Sequence, residues 1–281
     1  MSPIRTSRTR ATGVRPSGSL WREGGPYYSD TPEQLRKQPV LPHPGRLLDQ
    51  RLMGLFRRYG NLTVGSRVLE VGCGRSVWLP YLETEMGCSV AGVDLEPFAL
   101  ELASANLAGA GAKGDFFCRD AFDVTENGDL VERFDLVYSM GVIEHYDDPI
   151  SKLAVLAKYL KLDGRILTTV PNLRGVNWAL QRLADLERLQ MHVIYDSKSL
   201  VEIHEAAGLE TIAAGYVGFY DGYLSAPGGT TGQIRRRFHR WLCWASSICC
   251  TAWVRASRGI AAPELSWVSP FVFYVGRRVP K

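Results

Sequence analysis

The sequence has no C-x-x-C pair and no apolar run of bilayer-spanning length, and no secretory leader is expected at its start. Its six cysteines, Cys73, Cys88, Cys118, Cys243, Cys249 and Cys250, therefore lack the spacing of a zinc or redox site. A chain of 281 residues without a leader is also a poor setting for a disulfide framework. Reduced thiols in a cytoplasmic protein are expected. The longest apolar run, 241–254 (WLCWASSICCTAWV), has 14 residues, against the roughly 20 that a membrane span requires. Arg240 and Arg255 flank it, and Arg235, Arg236, Arg237 and Arg258 lie beside it. Two readings stay open for 235–258: a helix lying on a membrane surface, or a buried or substrate-covering helix with snorkelling arginines.

Acidic residues are scarce at both ends. Residues 1–20 hold four arginines and no acid, and residues 232–281 hold eight arginines and one lysine against Glu264 alone. The overall net charge is only +4, so the stretch between the ends carries −8. Basic ends suit phosphates on a nucleic acid, a lipid surface or a phosphorylated substrate, and equally suit plain solvated faces. Residues 1–20 also hold few large apolar groups, so burial there cannot offset ordering entropy, and a disordered tail is expected.

Residues 32–59 read as a helical region. Asp30 or Thr31 can cap it, Pro32 suits the first turn, and Pro42 and Pro44 interrupt it. From residue 67, short apolar runs alternate with helical segments. The runs are 67–71, 89–93, 114–118, 134–138, 165–170, 209–217 and 270–276, with helices at 77–87, 96–108, 149–161 and 197–207. Such alternation implies crossover units and a mainly parallel sheet. The expected organisation is a tail at 1–20, a helical cap at 21–60 and one domain at 61–281 with a helical insertion near 230–260.

The motif that carries most information is Val-Leu-Glu-Val-Gly-Cys-Gly at 68–74. A buried strand ends in Gly72 and Gly74, which allow a tight turn and close approach of a ligand to the backbone. Asp94 follows 22 residues after Gly72, at the end of the second strand, where a carboxylate can accept from both hydroxyls of a ribose. A dinucleotide fingerprint would carry a third glycine at position 77, which is Val77. Glu70 sits inside the strand, where a carboxylate is unusual. It would repel a pyrophosphate and attract an ammonium group. S-adenosylmethionine has an ammonium, a sulfonium and no phosphate.

With Val-Asp-Leu at 93–95, Arg-Asp-Ala at 119–121, Phe-Asp-Leu-Val-Tyr-Ser-Met-Gly-Val-Ile-Glu-His at 134–145 and Leu-Lys-Leu-Asp-Gly-Arg-Ile-Leu-Thr-Thr-Val-Pro-Asn at 160–172, the chain resembles the class I methyltransferases. The resemblance is strongest to the branch of ubiquinone-biosynthesis O-methyltransferases and sugar and natural-product methyltransferases. It implies an α/β fold: a Rossmann-like, seven-stranded, mainly parallel sheet flanked by helices, with S-adenosylmethionine as cofactor. It further implies that Glu70, Gly72 and Gly74 hold the methionine end, Asp94 the ribose and Leu95 the adenine face. Asp120 and Ala121 would meet the adenine edge, and Ser139 and Met140 the sulfonium region.

Methyl transfer chiefly requires alignment of donor and acceptor, with a base for an acceptor hydroxyl. Glu144 and His145, just beyond the fourth strand, are the candidates, since an imidazole is neutral and basic near cell pH. The ubiquinone-pathway relatives carry an acid three residues before this Glu, in a cluster that can bind a divalent metal. Here the position is Gly141, so no metal is expected. Tyr28, Asn172, His192 and Tyr195 are candidates for the acceptor pocket. Two further absences narrow the acceptor. No Asp- or Asn-Pro-Pro-aromatic run follows the fourth strand and no Pro-Cys dipeptide occurs, so DNA is not an expected target. The reading is O-methylation of a small-molecule or glycan- or lipid-linked hydroxyl, with peripheral membrane contact through 235–258. The alternatives are an N- or carboxyl-methyltransferase, a non-catalytic cofactor-binding partner, a nicotinamide-dependent oxidoreductase or a membrane-binding module. Nothing in the sequence specifies an oligomeric state.

Overall fold

Seven apolar runs become seven strands of one sheet in the computed structural model, which describes residues 30–221, 224, 233–256 and 263–279. They are β1 (Arg67–Val71), β2 (Ser89–Asp94), β3 (Gly114–Cys118), β4 (Phe134–Met140), β5 (Leu160–Pro171), β6 (Leu209–Val217) and β7 (Phe271–Arg278). Their order is β3-β2-β1-β4-β5-β7-β6. Strands β1 to β5 pair in parallel, and β7 runs antiparallel to both β5 and β6. This is the mainly parallel, helix-flanked sheet expected. The basic tail at 1–20 and Tyr28 lie outside the described residues.

A parallel sheet must be covered on both faces, and the helices do this. They are α1 (Pro32–Lys37), α2 (Leu47–Tyr59), α3 (Trp78–Thr84), α4 (Pro97–Gly109), α5 (Pro149–Tyr159), α6 (Gly175–Ala184), α7 (Leu186–Gln190), α8 (Ser197–Ala206) and α9 (Gln233–Ala256). Local chemistry sets several starts. Thr31 and Gln34 form a capping box at α1 with Pro32 in its first turn, and Asp148 and Asp196 cap α5 and α8. Side-chain alternation along β1 sorts its residues between two cores. Val68 packs with Phe56, Trp78, Leu82 and Tyr138 on one face. Leu69 and Val71 pack with Val137, Leu153, Leu156 and Leu200 on the other. No described helix is long and apolar enough to cross a membrane.

Two features differ from the sequence expectation. Strand β5 begins at Leu160, five residues earlier than the apolar run suggests, because Leu160 pairs with Phe134 across a bulge. Helices α6 and α7 follow β5 where no helix was expected. The signal of α6 is masked because it buries Asn177 and Gln181 beside Leu180 and Ala184, so its inward stripe is half polar. Asn177 Nδ2 donates to the Ser269 carbonyl at 2.9 Å, and Gln181 Nε2 donates to the Asp185 carbonyl at 3.0 Å.

Fully buried Asn106 on α4 joins the N-terminal segment to the turn after β1. Its Nδ2 donates to the carbonyls of Val40 and Ser76, at 2.9 and 2.8 Å, and its Oδ1 accepts from Val40 N at 2.7 Å. Helix α2 is anchored by Phe56, 1% exposed, whose ring meets Trp78 at 5.5 Å and Tyr138 edge-on at 5.1 Å. Phe56→Ala is expected to cost about 3–5 kcal/mol, read as a lower urea midpoint with unchanged slope. An unchanged midpoint would mean that α2 is not part of the cooperative core.

Candidate functional site

In an open α/β sheet the ligand crevice lies at the carboxyl ends of the strands, where the order reverses. Here that point is β1, flanked by β2 and β4. The turn after β1 closes tightly. Gly72 N donates to the Val93 carbonyl at 2.9 Å, with Gly72 at φ +65° and Gly74 at φ +50°. A Cβ at Gly72 would come within 2.6 Å of Val142 Cγ2, so glycine is required there on two counts. Asp94 ends β2. Its Oδ2 accepts from Gly74 N at 2.9 Å and its Oδ1 from Glu96 N at 3.0 Å. Burial pushes the Asp94 carboxyl up, and these amides pull it down.

One cavity gathers most of the expected cofactor residues: Gly72, Gly74, Asp94, Leu95, Asp120, Ala121 and Met140 line it, with His145. Asp120 Oδ1 accepts from Phe122 N at 2.9 Å, which fixes the carboxylate at the wall. The lining also includes Glu96, Arg119, Phe122 and Tyr146, none of which was given a site role from the sequence. Phe122 and Tyr146 meet edge-to-face with centroids 4.8 Å apart. They are joined only through the fold, so no spacing announced them. Three carboxylates (Asp94, Glu96, Asp120) thus face one arginine, and Arg119 is held by Asp129 through two bonds of 2.7 and 3.0 Å. Such a wall disfavours a pyrophosphate. It fits a cationic ligand with a neutral sugar, as S-adenosylmethionine has.

Glu70 and Ser139 do not line this cavity. Alternation along β1 turns Glu70 towards the Val68 face, where it is 4% exposed. It accepts from Tyr138 OH at 2.9 Å and from Ser76 Oγ. Burial pushes the Glu70 carboxyl up from 4.5 to about 8, against those two hydrogen bonds. Ser76 Oγ in turn accepts from Leu79 N at the start of α3. Glu70 therefore braces the glycine turn from behind. Ser139 is buried opposite Val71 in the sheet.

Beyond β4, Gly141 turns the chain at φ +74° into a single 3-10 turn, Ile143–His145. Glu144 is 1% exposed, and neither carboxyl oxygen meets a hydrogen-bond donor among the described residues. Its Oε1 lies 3.9 Å from His145 Nε2. Burial pushes Glu144 up from 4.5 to about 8, against a smaller lowering by its own backbone amide. Val193 N donates to the Glu144 carbonyl at 2.8 Å, which docks the segment after α7 here. The His192 ring then lies 4.7 Å from that of His145. The donor atoms of Glu144, His145 and His192 all fall within 4.8 Å of one another. Two imidazoles and a carboxylate can relay a proton or ligate a borderline divalent ion, so the fold supplies from a distant loop the third donor that Gly141 lacks. Of the remaining pocket candidates, Asn172 is buried and donates to the Ser266 and Ser269 carbonyls at 2.9 and 2.8 Å. Tyr195 packs in the second core. The fold does not bring these two to the cavity.

Comparison with known proteins agrees with this geometry. A family profile described as "Methyltransferase domain" matches residues 44–214. A ubiquinone biosynthesis O-methyltransferase from Idiomarina loihiensis is 28% identical over 169 residues, which is 57% of this chain and 68% of that protein. Across the first curated relatives the chain spans between 56% and 68% of their length. Among solved structures, the cyclase SpnF superposes with TM-score 0.57 at 18% identity, covering 92% of this chain and 90% of that one. A phosphoethanolamine N-methyltransferase from Haemonchus contortus, bound to S-adenosylhomocysteine, superposes with TM-score 0.52 at 17% identity, covering 83% of this chain and 53% of that one. At these identities the structures speak to the fold alone.

The buried carboxyl of Glu144 has a consequence for stability. Between pH 4.5 and about 8 the folded state keeps a proton that the unfolded chain releases. Its contribution is therefore fully present below 4.5 and is lost as pH rises through about 8. From pH 5.5 to 8.5, wild type should lose about 1–3 kcal/mol relative to Glu144→Gln, read from urea midpoints. Parallel pH profiles for the two proteins would show that Glu144 stays ionised when folded.

Proposed function

Because the chain belongs to the methyltransferase domain family, we propose that it methylates a hydroxyl oxygen, with His145 as the base. S-adenosylmethionine is the cofactor, and when bound it supplies a methyl group made electrophilic by a sulfonium. The Asp94 carboxylate is fixed by Gly74 and Glu96, and its remaining lone pairs take the ribose hydroxyls. Asp120, Ala121 and Leu95 take the adenine, and the backbone of Gly72 and Gly74 takes the methionine end. Met140 lies towards the sulfonium. Glu70 acts one step removed, by holding Ser76 and with it the turn.

The observation that carries the oxygen assignment is the position of His145. It lines the cofactor cavity, with the Glu144 carboxyl 3.9 Å behind its Nε2 and the His192 ring alongside. A neutral amine attacks a methyl group without help, whereas a hydroxyl gains greatly from losing its proton as it reacts. A built base is therefore spent best on a hydroxyl. His145 takes that proton, and the buried Glu144 carboxyl, 3.9 Å from its Nε2, fixes the position of the ring. The acceptor is a small molecule or a glycan- or lipid-linked hydroxyl. Its lipid-linked or phosphorylated form is suggested by the arginines and apolar groups combined in 235–258.

Two variants test this reading. Asp94→Ala should weaken S-adenosylhomocysteine binding by about 10–100-fold, the worth of one or two hydrogen bonds to a charged group, measured by calorimetric titration. His145→Ala should keep that affinity within about threefold and lose about 10²–10⁴ in turnover. The substrates to use are 3,4-dihydroxybenzoate, a hexose and phosphoethanolamine, with product mass as readout. Methylation of phosphoethanolamine alone, or full turnover by His145→Ala, would overturn the hydroxyl assignment and favour N-methyl transfer.

A further inference from the structure

Among the described residues, helix α9 leaves one face uncovered. Over Gln233–Ala256 it carries five arginines and no acidic residue. Arg237, Trp241, Trp244, Ile248 and Arg255 recur at helical spacing and are all exposed. Trp241 is 58% exposed, Trp244 55% and Ile248 48%. The opposite face points to the protein. His239 and Cys243 are buried, and Ser246 Oγ lies 2.6 Å from Tyr220 OH. The exposed aromatics are therefore not a core stripe out of register. They are the outward face of a helix whose inward face is already engaged.

We propose that this face seats the protein on an anionic lipid surface. Tryptophans with an aliphatic neighbour suit the acyl–headgroup boundary, where an indole buries its ring and keeps its N–H wet. Arg237 and Arg255 stand at the two ends of the stripe, about 27 Å apart along the axis, with Arg240 beside it. They meet headgroup phosphates while the ring cluster enters between them. Charge decides among occupants. A second copy of this chain would set arginines against arginines, which costs free energy. An anionic surface reverses the sign, and each arginine contributes about fivefold in affinity. The helix lies in the plane of the surface, because it is too polar to cross. The inference needs neither cofactor nor acceptor, so it stands or falls apart from the methyl-transfer reading.

The test is sedimentation of the full chain with phosphatidylcholine vesicles, with and without about 30 mol% phosphatidylglycerol. Wild type should pellet with the anionic vesicles only, and should be released as salt rises from about 0.1 M to about 1 M. Trp241→Ala/Trp244→Ala and Arg237→Glu/Arg240→Glu should each weaken binding by about tenfold or more. Both should keep wild-type affinity for S-adenosylhomocysteine, which reports an intact fold. Bromine-labelled acyl chains should quench wild-type tryptophan emission, and quench the double tryptophan variant much less. Three results would overturn the proposal: no pelleting with either vesicle, equal binding by both variants, or a wild-type dimer that Trp241→Ala/Trp244→Ala splits.

Discussion

Two backbone amides, of Gly74 and Glu96, converge on the Asp94 carboxylate. This convergence ties the turn after β1 to the end of β2, and the rest of the site is arranged around it. At the point where the sheet order reverses, connections leave on opposite sides and the crevice between them must be held open. The tie does this with one side chain. It also imposes the left-handed backbone at Gly72 and Gly74 and brings Gly72 against Val142, so the loop after β4 is placed by the same constraint. Asn106 and Glu70 then hold the turn from behind, through the Ser76 carbonyl and the Ser76 hydroxyl.

The second half of the site is built against the usual economy of a core. Among the described residues Glu144 is buried without a hydrogen bond to its carboxyl, and His145 and His192 lie beside it. A packed interior normally pairs or excludes such a group. Departures from local consistency concentrate where chemistry is done, and this cluster meets the wall of the cofactor cavity at His145. Glu70 is equally buried, but two hydroxyls satisfy it. The contrast separates a carboxyl that two hydroxyls tie into the fold from one left beside two imidazoles at the cavity.

Charge is divided between regions in a way that matches these roles. The cavity wall carries three carboxylates and one neutralised arginine, which suits a cationic ligand. Helix α9 carries arginines only, and it turns its tryptophans outward. The net charge of +4 is thus the small sum of an acidic cofactor site and basic ends.

The sequence by itself determined what depends on local rules. The strands announce themselves by apolar runs, the turn by Gly72 and Gly74, and the ribose carboxylate by its register at Asp94, because backbone freedom and side-chain period act over a few residues. Tertiary structure decided the rest. Glu70 braces the turn because Tyr138, on another strand, reaches it. The helical signal of α6 is hidden because buried Asn177 satisfies itself on Ser269, 92 positions along the chain. His192 joins His145 because Val193 docks on the Glu144 carbonyl. Phe122 and Tyr146 complete the cavity wall from separate loops. In each case a side chain's role is set by a partner far away in sequence, and a polar group's role follows from the partner that satisfies it once water is excluded.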